Sequence, residues 1–595
     1  LIKLSDYIVK FLAEKGVKQV NMIVGGGAMH LNDSVGRSDL SYTCFCHEQA
    51  LAIATEAHGQ FTNFPGIGFV TSGPGGTNAL TAVSAAYIDS TPCIFISGQA
   101  KRSDLMKDSG VRQMGSQEVD IVSMITPTTK YAVTVMEPES IKFHLEKAWY
   151  EATNGRKGPV WIDIPLDVQG SMVNESDLIN YHVDFPLVLK KWQPSEKKMD
   201  RLLSLFNGAK RPLVLAGNGI KLAGAIDKFT SFIETYNIPT LLTWKAIDFL
   251  DYEHPLNFGS PGIMGCRTAN FMVQNADLLI VIGSRLDSSL TAFNSKAFGE
   301  RAKKVMIDID IHEINKIEGL TLGIECDCLS FFQALKNKED RLFINENSKW
   351  IAYGHDLKRK YPTVSHRYSL HMTDEKVDTY DLVDKIFNKL TSEDIITPES
   401  SGAAGEVTYQ AMRIKKGQLV KNAAGLGSMG FGLPYSIGAC LATKRRTILI
   451  NGDGAFQLNI QELETLSRLQ LPIKIFILNN GGYGSIENTQ DNMFQGFYVG
   501  ANAKSGFTLP DIGKIATAYG LRVEYIDCVN EVESGIDCTL DGKNPVVCIV
   551  KTGKTIISPK VQAIKLPDGN MQSKPLHDMW PYLSKEELES NMFRE

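Results

Sequence analysis

Three things are missing from this chain, and each absence removes a class of function. No stretch of its 595 residues holds the run of about 18 apolar residues that a membrane-spanning helix needs. There is no excess of basic charge: 62 Lys and Arg stand against 67 Asp and Glu, a net charge of -5 that offers nucleic acid no broad cationic face. The ten cysteines include no CxxC pair of the kind that holds structural zinc. The closest pairs are "CFC" at Cys44 and Cys46 and "CDC" at Cys326 and Cys328, and reduced, mostly buried thiols are expected. The opening "LIKLSDYIVKFLAEKG" reads as an amphipathic helix rather than a signal peptide, so a cytoplasmic location is expected. Neither nucleic acid nor a membrane is an expected partner.

What is present is a repeated pattern. Runs rich in Val and Ile, among them "GIGFVTSG", "CIFISGQ", "PVWIDIP", "DLLIVIGS", "TILINGDG" and "IKIFILNN", alternate with helical periodicity. Continuous apolar strands each followed by a helix predict an α/β fold of doubly wound parallel sheets. The chain is too long for one core. Two charged stretches, 189–200 and 358–378, read as linkers and divide it into an N-terminal domain (1–185), a central domain (186–370) and a C-terminal domain (371–595). Residues 67–99 and 447–480 both run strand, glycine turn, helix, strand, so the first and third domains are candidates for a shared fold.

The stretch "NGDGAFQLNIQELETLSRLQLPIKIFILNN" (451–480) carries the most chemistry. Ligands of parallel sheets bind beyond the carboxyl ends of the strands, where Gly452-Asp453-Gly454 and Asn479-Asn480 both lie. Glycines beside Asp453 let backbone approach a phosphate, while Asp453 and Asn480 offer hard oxygens. Mg²⁺ takes a few protein oxygens and completes its shell with phosphate and water, so the pattern points to a metal-bridged diphosphate.

With "HEQALAIATEAHG" (47–59), "SGPGGTNAL" (72–80), "SQEVDIV" (116–122), "GPVWIDIPLDVQ" (158–169) and "GLGSMGFGLPYSIGA" (425–439), this stretch resembles the thiamine diphosphate enzymes, and among them the acetolactate synthase-like branch. The resemblance spans the chain. It implies a pyrimidine-binding, a central and a diphosphate-binding domain, with active sites between the chains of a homodimer or homotetramer. It implies Mg²⁺ on Asp453, Asn480 and the carbonyl of Gly482, and the cofactor against Gly427, Met429, Gly452, Gly454, Ala455, Asn480, Gly482 and Tyr483. Glu48 matches the glutamate that hydrogen-bonds the aminopyrimidine ring and so turns the cofactor's own amino group into a base; standing alone it reads as a capping or surface carboxylate on a helix. Met429 matches the apolar wedge beneath the cofactor; standing alone it reads as a core methionine. Gln117 matches a glutamine near the reacting centre. Gly26, in "VGGG", offers a backbone N–H to a developing oxyanion or else serves a strained turn. His30 either faces the cofactor and exchanges protons or packs locally.

Departures from the branch bear on the substrate. Ser289 stands where a second arginine binds the acceptor's carboxylate, Thr489 where a tryptophan narrows the acceptor side, Ser116 for a phenylalanine and Gly27 for an alanine. Each is smaller, so a roomier pocket without a carboxylate clamp is expected unless other parts of the chain fill the space. The expected reaction takes a 2-oxo acid donor such as pyruvate to a carbonyl acceptor that is not a simple 2-oxo acid, a sugar derivative being preferred. A C–C lyase and a non-catalytic cofactor-binding regulator are the alternatives. Segments 216–219, 259–265, 283–287 and 307–316 resemble those that hold FAD in flavin-containing members, with Asp308 or Asp310 placed for a ribose hydroxyl. Flavin-free members share the pattern, so FAD stays open, with a structural role if bound. The tail from about 555 to 595, with its aromatic "HDMWPYL", is expected to reach the site mouth as a lid, the alternative being that it packs on the surface of its own domain.

Overall fold

The computed structural model of the chain describes residues 1–183, 192–343, 345–364, 376–565 and 567–593. The boundaries expected near 185 and 370 fall on 184–191 and 365–375, outside the described residues. On either side of them stand three parallel sheets with helices on both faces. The first orders its strands Ser41–Cys44, Gln19–Met22, Gly66–Val70, Cys93–Gln99, Pro159–Pro165, Tyr131–Thr134. The third orders them Leu419–Val420, Ile395–Pro398, Thr447–Gly452, Ile473–Asn479, Val546–Lys551, Arg522–Ile526. Counted along the chain, both sheets read 2-1-3-4-6-5. The echo between 67–99 and 447–480 is therefore an echo of topology. The central sheet has five strands, Thr240–Leu242, Pro212–Ala216, Leu278–Ile282, Lys303–Asp308 and Leu320–Glu325.

Cys93–Gln99 and Pro159–Pro165 are buried at every position, which is why the sequence shows runs there and no alternation. The linker readings need correction at their margins. Residues 196–200 open the helix Glu196–Asn207, whose Met199, Leu202, Leu203 and Phe206 are buried at helical spacing. Residues 358–360 close the helix Ser348–Lys360. In both, charges on the solvent face masked an apolar stripe.

The first and third domains meet through Glu48–Thr62 and Gly432–Thr443, the helices that follow the second strand of each sheet. Small residues bring the two backbones together: a Cβ on Gly438 would lie 2.4 Å from the Ala54 carbonyl oxygen. The tail does not close over the site with its aromatic patch. It passes the C-terminal domain, where Asn488 donates to the Thr555 carbonyl at 2.8 Å, and then docks on the central domain. There Val561, Leu576 and Met579 join the core, and Asn270 donates to the Leu576 carbonyl at 2.9 Å. Phe593 packs edge-on against Trp350 and Tyr353. The apolar area left by the central helices takes up Leu576, Met579 and Phe593, while Tyr582 of the patch stays exposed. Among the described residues no helix is long and apolar enough to cross a membrane.

Candidate active site

Two neighbouring strand tips build the first half of the site. Thr447–Gly452 pairs in parallel with Ile473–Asn479, setting Gly452 opposite Leu478. Asp453 follows the first tip, buried to 1 % exposure. Its carboxylate accepts from the N–H groups of Gly454 (2.8 Å), Asn480 (3.1 Å) and Gly481 (2.7 Å), so it ties the second tip to its own. Burial pushes this carboxyl up to about 6 against the pull of those donors. Asn480 turns its Oδ1 to the Gly482 N–H at 3.2 Å, and the Gly482 carbonyl accepts from Gly484 at 3.2 Å with a second lone pair to spare. Asp453, Asn480 and Gly482 are thus tied into one turn, and their oxygens are of the kind that fits a hard cation.

The glycines here serve different needs. A Cβ on Gly452 would meet nothing within 4 Å, which leaves an open cradle beside the start of the helix Asp453–Phe456, with Ala455 on its first turn. On Gly454 it would lie 2.5 Å from the Tyr483 ring, itself stacked on Phe507 at 4.1 Å. Met429 sits in the loop between Gly427 (φ +67) and Gly430 (φ +88) and is 38 % exposed, so it is not the core methionine that it resembles in isolation. Asn459 donates both to the Gly430 carbonyl (2.8 Å) and to Gln49 Oε1 (3.1 Å), which ties the Met429 loop to the helix that Glu48 begins.

The second half gathers on one segment, Thr71–Asn78, at the carboxyl end of Gly66–Val70. Asn78 donates to Glu48 Oε2 at 2.9 Å, and His47, not Glu48, caps the helix by accepting from Gln49. A Cβ on Gly25 would lie 2.5 Å from Thr71, one on Gly27 2.3 Å from Ser72 Oγ, and one on Gly73 2.5 Å from the Gln117 carbonyl. Gln117 itself holds φ 58, a left-handed conformation that costs a residue with a side chain roughly 1–3 kcal/mol. Gly26 is neither left-handed nor crowded, since a Cβ there would meet nothing within 4 Å. The strained-turn reading of Gly26 is set aside on that ground. His30 lies over Gly170, whose added Cβ would come 2.9 Å from its Nε2. Among the described residues no hydrogen bond joins it to Glu48 or Gln117.

A cavity of about 580 Å³ opens where the three domains meet, at the carboxyl edge of the central sheet. All four segments read as dinucleotide-like contribute to it, through Gly219, Gly262, Arg285 and Asp308 among others. Arg285 has no hydrogen-bond or ion-pair partner among the described residues. Burial pushes the Asp308 carboxyl up to about 6. Asp310 is occupied elsewhere: it accepts from Arg156 at 2.6 Å and caps its own helix through His312 N. Of the two aspartates, Asp308 lines the cavity. The Lys245–Asp89 pair (2.7 Å) crosses the same space from central to N-terminal domain.

Three family models match in the order of these domains: thiamine pyrophosphate enzyme N-terminal TPP binding domain (2–124), central domain (199–335) and C-terminal TPP binding domain (401–550). The chain belongs to the thiamine pyrophosphate enzyme family, on its acetolactate synthase-like branch. It is 31% identical over 538 residues to the acetolactate synthase isozyme 1 large subunit of Escherichia coli, covering 89% of this chain and 90% of that one. It is 29% identical to the acetolactate synthase large subunit of Cyanidium caldarium, over 93% of this chain and 94% of the other. A probable acetolactate synthase large subunit of Methanocaldococcus jannaschii shares 30% over 89% of each.

Within this thiamine pyrophosphate enzyme the departures are unequal. Gly27 adds no room, because Ser72 already occupies the place of its missing methyl. Ser116 and Thr489 are exposed, so space beside them is open in the single chain. Ser289 lines the cavity and accepts from Ile263 N at 2.9 Å. The hub role of Thr71–Asn78 escaped the sequence reading. "SGPGGTN" signals a helix start near a phosphate, and nothing in that pattern says that Glu48, Gln117 and the 25–27 turn all rest on it.

Proposed function

We propose that the protein is a thiamine diphosphate- and Mg²⁺-dependent carboligase. It takes a 2-oxo acid such as pyruvate and transfers the acyl unit to a carbonyl acceptor larger than a second 2-oxo acid, a sugar derivative being the preferred class. The observation that carries the cofactor assignment is the Asp453 carboxylate drawn to the Asn480–Gly482 turn beside an open glycine cradle, while the acceptor assignment rests on the small residues Ser289, Ser116 and Thr489. Thiamine diphosphate, when bound, supplies the electron sink for decarboxylation and acyl transfer. The chain's own groups do the rest. Asp453, Asn480 and the Gly482 carbonyl would hold the metal that anchors the diphosphate, Glu48 would share a proton with the aminopyrimidine ring, and Asn78 fixes the orientation of that carboxylate. Met429 would pack against the bound cofactor, and the Gly26 N–H would be available to an oxyanion.

Apolar side chains exposed in the single chain cluster in sequence around these groups: Val24 and Met29 near Gly26, Met114 near Gln117, Leu426 beside Gly427, and Phe494 and Phe497 beyond the Asn480 turn. A second copy covers them in the working enzyme, with sites between the chains. If FAD binds in a structural role it would sit in the central cavity, where Arg285 would be available to a pyrophosphate and Asp308 to a ribose hydroxyl.

The test is incubation with thiamine diphosphate, Mg²⁺ and pyruvate, with and without a sugar-derived ketone or aldehyde, following CO₂ and acetolactate. CO₂ release that rises with the sugar carbonyl and little acetolactate is expected. Acetolactate in quantity from pyruvate alone overturns the acceptor assignment. Release of a flavin on denaturing the purified protein tests the cavity separately.

A further inference from the structure

The segment between Gln99 and Ile121 carries Gln117, yet its only regular structure is one short helical turn at Arg102–Asp104. Most of residues 105–114 are exposed. Two of its residues with side chains, Lys107 (φ 43) and Gln117 (φ 58), hold left-handed backbone conformations. Something must hold such a loop in shape, because strain persists only where neighbouring structure over-determines it.

Its two ends are tied. Arg102 donates through its N–H and Nε to Asp167 at 2.9 and 2.7 Å, and Gln99 Nε2 donates to the Val119 carbonyl at 2.9 Å. Gln99 in turn donates to Asp163 at 3.1 Å. The middle is tied chiefly by one carboxylate. Glu118, 3 % exposed, accepts from Met106 N on Oε1 and from Met114 N (2.8 Å) and Gly115 N (3.0 Å) on Oε2. Those three donors draw the Glu118 carboxyl below its ordinary range although burial pushes the other way. The Gln113 side chain adds a bond to the Glu118 carbonyl at 3.0 Å.

We propose that Glu118 is the positioning residue for Gln117: its carboxylate knots the turns at Met106 and at Met114–Gly115 into one body and presses the Gln117 backbone against Gly73, presenting Gln117 to the reacting centre. Only a carboxylate suits the place, because three N–H groups converge on two oxygens and an amide would set its own N–H against one of them. Glu118 touches neither cofactor nor substrate, so it acts through Gln117. The catalytic half rests on the role given above to Gln117; the knot does not.

The experiment uses Glu118→Gln, Gln117→Ala and the double variant of the full-length protein, with thiamine diphosphate affinity measured for each. Trypsin reads the knot directly, since Lys107 and Arg112 lie in the loop. Glu118→Gln is expected to be cut there roughly 10-fold faster or more, as loop opening becomes easier, with cofactor affinity unchanged. Turnover with the donor is expected to fall by up to about 10²-fold, the scale of an ångström's misplacement, and the double variant to match the weaker single variant. Unchanged cleavage in Glu118→Gln overturns the knot. Losses that multiply in the double variant overturn action through Gln117. Full activity in Gln117→Ala, with faster cleavage in Glu118→Gln, sinks the role given to Gln117 and the positioning claim with it, while the metal and diphosphate reading stands.

Discussion

The first and third domains share one strand order and use it oppositely at the same place. In the C-terminal domain the tip of the third strand is open: a Cβ on Gly452 would meet nothing within 4 Å, and the buried Asp453 carboxylate stands beside the gap. In the N-terminal domain the corresponding tip is filled, with Thr71 under Gly25, Ser72 under Gly27 and Gly73 under Gln117. One sheet end is a cradle for a ligand's charge. The other is a platform that holds Glu48, Gln117 and the 25–27 turn in fixed relation. Equal topology carries unequal chemistry because topology places the tips and the residues on them decide whether a tip is space or support.

The sharpest way to break this comparison is to separate binding from turnover. Asp453→Ala is expected to abolish activity by removing the anchor, with Mg²⁺-dependent thiamine diphosphate affinity falling at least ~10²-fold in calorimetry. Glu48→Gln is expected to bind cofactor and metal normally while turnover falls by roughly 10²–10⁴-fold. Equal loss of affinity in both would erase the division of labour.

A smaller effect concerns a proton held inside the first sheet. Burial pushes the Asp163 carboxyl up to about 7, despite bonds from Ser97 (2.6 Å), Gln99 (3.1 Å) and Thr134 (3.1 Å). Its folded value lies above the unfolded one near 4, so the folded state keeps a proton that the unfolded chain releases. Stability should therefore fall as pH rises from about 4 through about 7, by at most ~4 kcal/mol. In Asp163→Asn the decline of the thermal midpoint over that window should flatten; an unchanged slope would count against it.

Smaller still are the packing tests. Gly27→Ala drives a methyl into Ser72 and is expected to cost about 1–3 kcal/mol, whereas Gly452→Ala should leave the thermal midpoint unmoved and weaken cofactor binding instead. Reversed outcomes would exchange the filled and open tips. The least change is expected of His30→Asn, whose turnover should stay within about tenfold of the parent, below the ~10²-fold that loss of a general acid–base would cause.

The chain by itself determined the α/β class, the alternation that makes parallel sheets, and the Gly-Asp-Gly and Asn-Asn tips. These depend on local demands: continuous apolarity for a strand buried on both faces, glycine where backbone must come close, and oxygen where a cation binds. It misled where charge hid an apolar stripe, as at 196–200, and where a residue's neighbour in space lay far along the chain. Only the tertiary structure decided that Ser72 fills the place beside Gly27, that Asp310 belongs to Arg156 and leaves the cavity to Asp308, and that the tail's aromatic patch serves the central domain. It alone gathered Glu48, Gln117 and the 25–27 turn on Thr71–Asn78. Such pairings are chosen by packing three domains at once, each surface competing for the same partners, and no window along the sequence contains that competition.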